Sequence, residues 1–517
     1  MSLFESLLAL LLVAVVLLRL SHRLEIPYPT MLALAGAGVA ALPFVPAIEI
    51  EPRLALALFI PPALLDVAFD TAPRELRKLW LPLFSLAVIA VLLTTAAIAW
   101  VGWTYAGLPL AAAVALGAIV APPDAAAASA VLSRLNLPRR TISVLQGESI
   151  LNDAVALLIF ATAVNAAMGT NSTSMLSPHV LIAAPGGIAM GLLAGILYLR
   201  FSGWFAGTMS ARITEFVSTY AVWIAADWLQ LSPILAIVAY AMYLGQRAAS
   251  RQAARDRIHA YGVWGAAVFV LNVLAFLLMG LQARIILTRL HGTDLAHALQ
   301  LTGIVLLTVI LVRLFWVMAY GFLLRRLIPR FPSFFRGAPA PSRRVGVLVS
   351  WCGMRGLVTL GTAFALPSQF PGRDVIVLSA FGVVLGTLVL QGLTIVPLIR
   401  RLGIEPDHSL NRELSAGRTA MLRAALASLA DETGAAAEAL RQEYQMEEQI
   451  ARDETSPQAE TEYDRLRRKS VASARATLSD LRSKGAIADD IFHRLEEELD
   501  WSELAATAPD GLALDES

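Results

Sequence analysis

Six ionisable side chains lie inside long apolar stretches of this 517-residue chain. They are Asp66, Asp124, Glu148, Asp153, Arg313 and Arg355. Hydrophobic residues make up 57% of the chain and charged residues only 16%, which is too apolar a composition for a water-soluble protein. The apolar stretches are therefore predicted membrane spans, and an ionisable group inside a span costs about 2.5 to 3.5 kcal/mol on insertion scales. Each of the six marks a candidate functional site.

Four of these charges are predicted to lie at a similar depth. Counting about 1.5 Å per residue from the basic cytoplasmic ends of their spans places Asp153, Asp124, Arg313 and Arg355 roughly 15 to 20 Å into the membrane. The other two lie about a turn nearer the cytoplasm. Charges from four different spans that reach one layer predict a single shared site.

Asp124 follows two prolines in the segment Val-Ala-Pro-Pro-Asp-Ala. Pro123 cannot donate a backbone hydrogen bond, so the span is predicted to break there and to expose carbonyl groups beside the carboxylate. Interrupted helices of this kind form cation sites in secondary transporters. The alternative is a plain proline kink in which Asp124 caps the freed backbone.

The next span contains the segment Gly-Glu-Ser-Ile-Leu-Asn-Asp, residues 147–153. Ser149 and Asp153 lie on one helical face at i, i+4, and Glu148 and Asn152 form a second pair beside them. A carboxylate next to a hydroxyl suits a small, hard cation such as Na⁺. Glu148 and Asn152 are then free to hold a buried arginine. The alternative is that the four polar groups only satisfy one another between helices.

Two further positions are secondary candidates. Arg355 lies between Gly353 and Gly356, and these glycines weaken the helix at the depth of the Asp124 break. A second interrupted helix opposite the first is therefore expected. Asp66 is interpreted either as a site residue or as an interfacial residue near Arg74.

The elements that position these residues are thirteen predicted spans. They run roughly 3–20, 28–44, 54–69, 79–103, 110–132, 141–165, 178–200, 213–229, 232–246, 262–282, 299–322, 344–366 and 374–400. The loops after odd-numbered spans are basic, which places the N-terminus outside and the C-terminal tail in the cytoplasm. The pair 213–246 is divided only by Leu231-Ser232-Pro233.

The chain divides by charge at residue 402. Residues 1–402 hold 28 Lys/Arg and 15 Asp/Glu, a net charge of +13, whereas residues 403–517 hold 13 and 25, a net charge of −12. The tail reads as amphipathic helices without a phosphate-binding loop. It is expected either to dock on the basic cytoplasmic loops or to remain a solvated appendage.

The segment Gly147–Ala154 closely resembles the signature of the sodium/proton exchangers, the electroneutral branch of the monovalent cation/proton antiporters. Phe59–Asp66 resembles the family's helix-3 motif, Trp351–Pro367 its Gly-Leu-Arg-Gly segment, and Arg313 its helix-11 arginine. The resemblance covers about residues 10–400. It implies an all-α membrane protein of about thirteen helices with inverted repeats, in which helices 5 and 12 are unwound where they cross.

The resemblance also implies a division of labour. Helices 1–3 and 7–10 form a dimer domain, and helices 4–6 and 11–13 form a mobile core. The proton- or cation-carrying aspartate maps to Asp153 and the helix-5 aspartate to Asp124. The structural network maps to Glu148, Asn152 and Arg313. The family commonly has Thr-Asp-Pro where this chain has Pro123-Asp124-Ala125, so a threonine ligand is missing, and the helix-3 motif usually carries Glu where this chain has Asp66.

The sequence therefore predicts a homodimeric antiporter of the plasma membrane that exchanges Na⁺ for H⁺ one for one by alternating access, in pH homeostasis. Asp153, Asp124 and Ser149 are the expected Na⁺ ligands, with Asn152 beside them and Pro123 shaping the break. The open alternatives are K⁺/H⁺ exchange, a cation channel without proton coupling, and a pH sensor that signals through its tail. An enzyme is disfavoured because no nucleophile–base pair or phosphate loop is present, and no cofactor or nucleic-acid partner is expected.

Overall fold

The protein is described by a computed structural model over residues 12–13, 15–21, 23, 27–41, 52–124, 132, 138–169, 178–205, 207–248, 254–289, 293–331, 342–404, 407, 409–452 and 462–506. Over these ranges the ordered elements are helices, and none is a strand. The chain forms two compact units. The first runs to Glu405, and the second spans Pro406–Asp515.

The first unit is built from membrane-type helices and their breaks. They are α1 (Tyr28–Ala41), α2 (Pro52–Phe69), α3 (Pro73–Lys78), α4 (Trp80–Thr104), α5 (Leu110–Val120), α6 (Arg139–Ala167), α7 (Pro178–Phe201), α8 (Met209–Trp228), α9 (Pro233–Arg247), α10 (Ala254–Arg289), α11 (Thr293–Leu327), α12 (Arg343–Trp351), α13 (Leu357–Phe364) and α14 (Arg373–Leu402). Helices α4 to α11 correspond to predicted spans 4 to 11. Helices α12 and α13 are the two halves of predicted span 12.

Six helices in the described ranges are long and apolar enough to cross a membrane. They contain Trp80–Thr104, Arg139–Ala167, Ile182–Trp204, Asp256–Phe276, Leu295–Leu327 and Arg373–Leu402. The segments Ala57–Phe69 and Leu110–Val120 are shorter apolar helices. The predicted multi-pass all-α class is confirmed. The predicted number of thirteen is not, because span 3–20 and the second half of span 110–132 lie mostly outside the described residues.

The polar turn between α8 and α9 divides the predicted pair 213–246 into two helices. Gln230 adopts a left-handed conformation with φ 55°. Ser232 caps α9, accepting a hydrogen bond from the Leu235 N–H at 3.4 Å, and Pro233 occupies the first helical position. A short Leu-Gln-Leu-Ser-Pro segment is thus enough to end one helix and begin the next.

Both predicted helix breaks are present, and they cross. Helix α5 ends at Val120, before the two prolines, and the backbone between Trp351 and Leu357 is not helical. The Asp124 N–H donates a 2.7 Å hydrogen bond to the carbonyl of Met354. Backbone groups released by one break therefore pair with those released by the other, which satisfies them without water.

The second unit contains four helices: α15 (Ser409–Ser428), α16 (Ala435–Ala451), α17 (Glu462–Ser483) and α18 (Asp489–Ala505). Helix α15 packs on α16, and α17 packs on α18. Exposed ion pairs cross each pair of helices, Arg423–Glu448 at 2.8 Å and Arg475–Asp500 at 2.8 Å. Such exposed pairs contribute at most about 1 kcal/mol each, so apolar packing must supply most of the stability.

Candidate functional site

Two aspartates meet at the break of α5. Asp153, in the middle of α6, exposes only 4% of its surface, and Asp124 is half-buried at the break. The carboxylate of Asp124 is close enough to repel that of Asp153. Ser149 lies one turn before Asp153 on α6 and is half-buried. A buried carboxylate beside a second carboxylate requires a neutralising positive charge, either a proton or a cation.

Asn152 is completely buried beside this pair. Its Nδ2 donates a 3.0 Å hydrogen bond to the carbonyl of Pro123. Because a carbonyl can only accept, this bond fixes the orientation of the amide. The Asn152 Oδ1 accepts no hydrogen bond within the described chain. The sequence interpretation had Asn152 helping Glu148 to hold an arginine, whereas the structure ties Asn152 to the break of α5.

Glu148 and Arg313 form a buried ion pair between α6 and α11. Arg313 Nη1 lies 2.5 Å from Glu148 Oε1, and Nη2 lies 3.0 Å from Oε2. Arg313 also donates to the carbonyl of Val349 in α12 at 3.2 Å. The planar guanidinium suits this two-point contact with a carboxylate. The pair therefore connects three helices that are distant in the sequence.

Arg355 fastens the two breaks to each other. Its Nε donates to the Val120 carbonyl at 3.0 Å, and its Nη2 donates to the Ala121 carbonyl at 3.1 Å. These carbonyls end α5, where the helix dipole places partial negative charge, so the buried guanidinium is stabilised there. The Arg355 backbone N–H donates to Thr387 Oγ1 of α14 at 3.1 Å. Sequence reasoning found Arg355 but not Thr387.

The two glycines of the second break lack a Cβ atom and so leave room for charged side chains to approach the backbone. A Cβ atom on Gly356 would lie 1.7 Å from Asp124 Oδ2, and one on Gly353 would lie 2.3 Å from Arg313 Cδ. The Asp124 carboxylate thus lies against the backbone that begins α13, a helix N-terminus that favours negative charge. The sequence reading treated these glycines only as helix weakeners, but close approach of charged side chains is their larger role here.

The transmembrane model of the sodium/hydrogen exchangers matches residues 8–401 of this chain. The chain belongs to this family.

Two relatives agree with this assignment, and one solved structure has a similar fold. The Na⁺/H⁺ antiporter ApNhaP of Aphanothece halophytica is 28% identical over 77% of this chain and 74% of its own length. A sodium, potassium, lithium and rubidium/H⁺ antiporter of Bacillus pumilus is 29% identical over 78% of this chain and 62% of its own length. The structure of the sodium proton antiporter MjNhaP1 from Methanocaldococcus jannaschii covers 76% of this chain and 100% of its own, with a TM-score of 0.59 and 18% identity. That last likeness supports the fold.

Asp66 stands apart from the exchanger's aspartate pair. It is exposed on α2, and the carboxylate that interacts with it is Asp70, four residues later and just past the end of that helix. Asp153, by contrast, interacts with Asp124. The structure therefore does not bring Asp66 to the shared layer, because α2 presents this position to the surface of the unit.

Sequence reasoning missed a second buried ion pair in the exchanger. Arg212 and Glu215 of α8 are 8% and 6% exposed, and their nearest atoms are 2.9 Å apart. Next to them, the hydroxyls of Ser218 and Tyr240 share a 2.7 Å hydrogen bond. The sequence could have predicted this pair, because opposite charges three residues apart at the start of an apolar span can pair on one helical face.

Proposed function

We propose that this chain exchanges one monovalent cation for one proton across the membrane, with Asp153 as the exchange carboxylate and Na⁺ as the cargo. Burial of Asp153 beside Asp124 supports this role, because a desolvated carboxylate is stabilised by whichever positive ion neutralises it. Proton and cation then compete for the same oxygen atoms. The antiport activity in the name of the Aphanothece relative agrees with this chemistry.

The charge balance of the site supports the proposed stoichiometry of one cation for one proton. The carboxylates of Glu148, Asp124 and Asp153 contribute −3, and the guanidinium groups of Arg313 and Arg355 contribute +2. The sum is −1 when all are ionised. A single proton or a single monovalent cation brings the site to zero, and neutrality is the state that a low-dielectric interior favours. Exchange between two neutral loaded states moves no net charge.

The proposed Na⁺ ligands are oxygen atoms of Asp153, Asp124 and Ser149. Hard oxygen ligands suit this ion. We add the Asn152 Oδ1, the buried acceptor whose orientation the Pro123 carbonyl fixes. In this chain it would supply an oxygen at a site where Pro123 offers no hydroxyl.

Alternating access would present this site to each side of the membrane in turn. The core formed by predicted spans 4–6 and 11–13, which include α4 to α6 and α11 to α14, would move as one body about the crossing breaks, against predicted spans 1–3 and 7–10. We further propose a homodimer in the plasma (inner) membrane with its N-terminus outside.

Proton flux in proteoliposomes tests the exchange directly. Purified protein is reconstituted with a pH-sensitive dye inside, and Na⁺, K⁺ or Li⁺ is added outside at several imposed membrane potentials. Cation-dependent proton flux that does not vary with the potential is expected. Cation flux without proton flux would identify a channel, and a potential-dependent rate would overturn the one-for-one stoichiometry.

Potassium is the second candidate cargo. The Bacillus pumilus relative is named for four cations, and an amide oxygen in place of a hydroxyl changes the proposed ligand set. The same assay decides between Na⁺ and K⁺ as the cargo, because it gives the apparent KM for each cation.

The acidic tail is proposed to regulate the exchanger. Its net charge of −12 is opposite to that of the basic loops of the membrane unit, so electrostatic docking would be screened over roughly 8 to 10 Å at physiological salt. A chain ending at Gly403 should retain exchange with a shifted pH or cation dependence, and the shift should shrink at high salt. Identical profiles for both chains at low and high salt would leave the tail without this role.

A further inference from the structure

Helix α4 contains a π-helical turn at Ser85–Ile89. The Ala90 N–H bonds to the carbonyl of Ser85, five residues earlier. A π turn inserts one extra residue and so turns the following side chains by about 100°, and such turns frequently lie at functional sites. The segment Ser-Leu-Ala-Val-Ile contains neither Pro nor Gly. Its own sequence does not require the π geometry, so a tertiary contact must stabilise it.

Trp316 of α11 supplies that contact. Its indole N–H lies 3.0 Å from the carbonyl oxygen of Ser85 and 3.2 Å from the Ser85 hydroxyl. A carbonyl has two lone pairs, so the Ser85 oxygen can accept from Ala90 and Trp316 together. Trp316 follows Arg313 by three residues and therefore lies on the same face of α11. That face binds α6 through Glu148 and α4 through Ser85.

The π turn lies beside the exchange site. A Cβ atom on Gly147 of α6 would lie 2.9 Å from Leu83 Cδ2 of α4, so these two positions are level. Helices α4 and α6 run parallel, because their N-terminal parts share one apolar cluster and their C-terminal parts share another. The first cluster contains Leu83 and Leu86 of α4 with Val144 and Leu145 of α6. The second contains Val91 and Ile98 of α4 with Ala156 and Phe160 of α6. Segment 85–89 is therefore level with segment 149–153.

We infer that Trp316 and Ser85 are positioning residues for exchange at Asp153, which rests on the function proposed above. Their hydrogen bonds hold the π turn at one place on α4 and so fix the wall that packs against Ser149–Asp153. Without them the turn can move along α4, and the side chains it passes rotate by about 100°. Neither residue touches the cargo. Their effect is on the shape of the site, and therefore on cation affinity and selectivity.

Trp316→Phe tests this inference in the proteoliposome assay, because it removes the indole N–H and keeps an aromatic ring. Loss of one such hydrogen bond predicts an increase of about 3- to 10-fold in the apparent KM for Na⁺. The Na⁺/K⁺ ratio of KM values should change as well, with a melting temperature close to wild type. Trp100→Phe is the matched control. Trp100 lies on α4, the helix that contains the π turn, is 64% exposed, and its substitution should leave both quantities unchanged.

Ser85→Ala is the second variant. It removes the hydroxyl acceptor and leaves the carbonyl, so the same change in KM is expected with a smaller size. The double variant should match Trp316→Phe alone, because both substitutions act through one contact. Ser85→Ala also decides the matter if Trp316→Phe does not fold.

The outcomes separate the two proposals. Absence of exchange in the wild type would refute the proposed function before any variant is compared. Wild-type exchange with unchanged KM and ion ratio in Trp316→Phe, or in Ser85→Ala where only that variant folds, would overturn the positioning role. A lower maximal rate and melting temperature with unchanged KM and ratio would also overturn it, since that pattern indicates a purely structural contact.

Discussion

Two buried ion pairs in the described part of the membrane unit differ in what they connect. Glu148 and Arg313 are 165 residues apart and join α6 to α11 through two hydrogen bonds. Arg212 and Glu215 are three residues apart, both on α8, and their contact is 2.9 Å. Both pairs are almost fully buried. The first can form only when the tertiary structure is complete, whereas the second can form within one helix.

This difference supports the proposed location of the transport site. Near the long-range pair, Asn152 of α6 and Arg355 of the second break hydrogen-bond to the break of α5, beside the two aspartates. The two charges of the local pair lie on one helix and need no second helix to meet, although Glu215 also forms a side-chain hydrogen bond with Trp264 of α10. A cation site requires preorganised oxygen atoms, and the long-range pair lies beside the crossing breaks, where such atoms come from separate helices.

The largest effect is expected from removing the charge of the proposed exchange carboxylate, Asp153. Asp153→Asn should abolish cation-driven proton flux, because the neutral amide can neither take up a proton nor balance a cation. The melting temperature should equal or exceed that of the wild type, since the substitution removes a buried charge and its repulsion by Asp124. Retained exchange in folded Asp153→Asn would refute its role.

Breaking the long-range pair should affect both stability and transport. Glu148→Gln leaves the Arg313 guanidinium buried without its carboxylate, a change that typically costs about 3 to 5 kcal/mol. Thermal unfolding in detergent and proton flux measure the two effects. Arg313→Ala should behave similarly, and if both variants melt like the wild type, the pair does not hold α6 to α11.

Two glycine-to-alanine variants distinguish steric crowding at the candidate site from crowding at a helix contact elsewhere in the unit. Gly356→Ala should reduce exchange at least tenfold, because its Cβ would lie 1.7 Å from Asp124 Oδ2 and displace that carboxylate. Gly245→Ala brings a Cβ to 2.1 Å from the Phe69 carbonyl, in the packing of α9 on α2. It should lower the melting temperature with a smaller effect on the apparent KM for Na⁺. Equal KM changes in both variants would contradict a special role for Gly356.

The smallest effect is expected at the local pair. Glu215→Gln leaves Arg212 close to the start of α8, where its long side chain can reach the membrane interface. We expect a loss of about 1 to 3 kcal/mol in the free energy of unfolding, with the apparent KM for Na⁺ unchanged. A change in KM as large as that of Glu148→Gln would show that the local pair also shapes the cation site.

Local sequence rules determined much of this exchanger. Proline lacks a backbone N–H, so the interruption at Pro123 could be read directly, and Gly353 and Gly356 marked the second interruption. Charges such as Glu148 and Arg313 were recognisable because a charge in an apolar span must have a partner. These rules depend on the chemistry of a few neighbouring residues, which a sequence shows completely.

The tertiary structure decided which groups meet. It bound the Asn152 amide to the Pro123 carbonyl instead of to an arginine, placed Arg355 on the end of α5, and left Asp66 outside the aspartate pair. It also created a π turn at Ser85 by means of Trp316, which is 231 residues away. No local rule encodes such contacts, because a hydrogen-bond donor selects its acceptor only after helix packing has brought the two within about 3 Å.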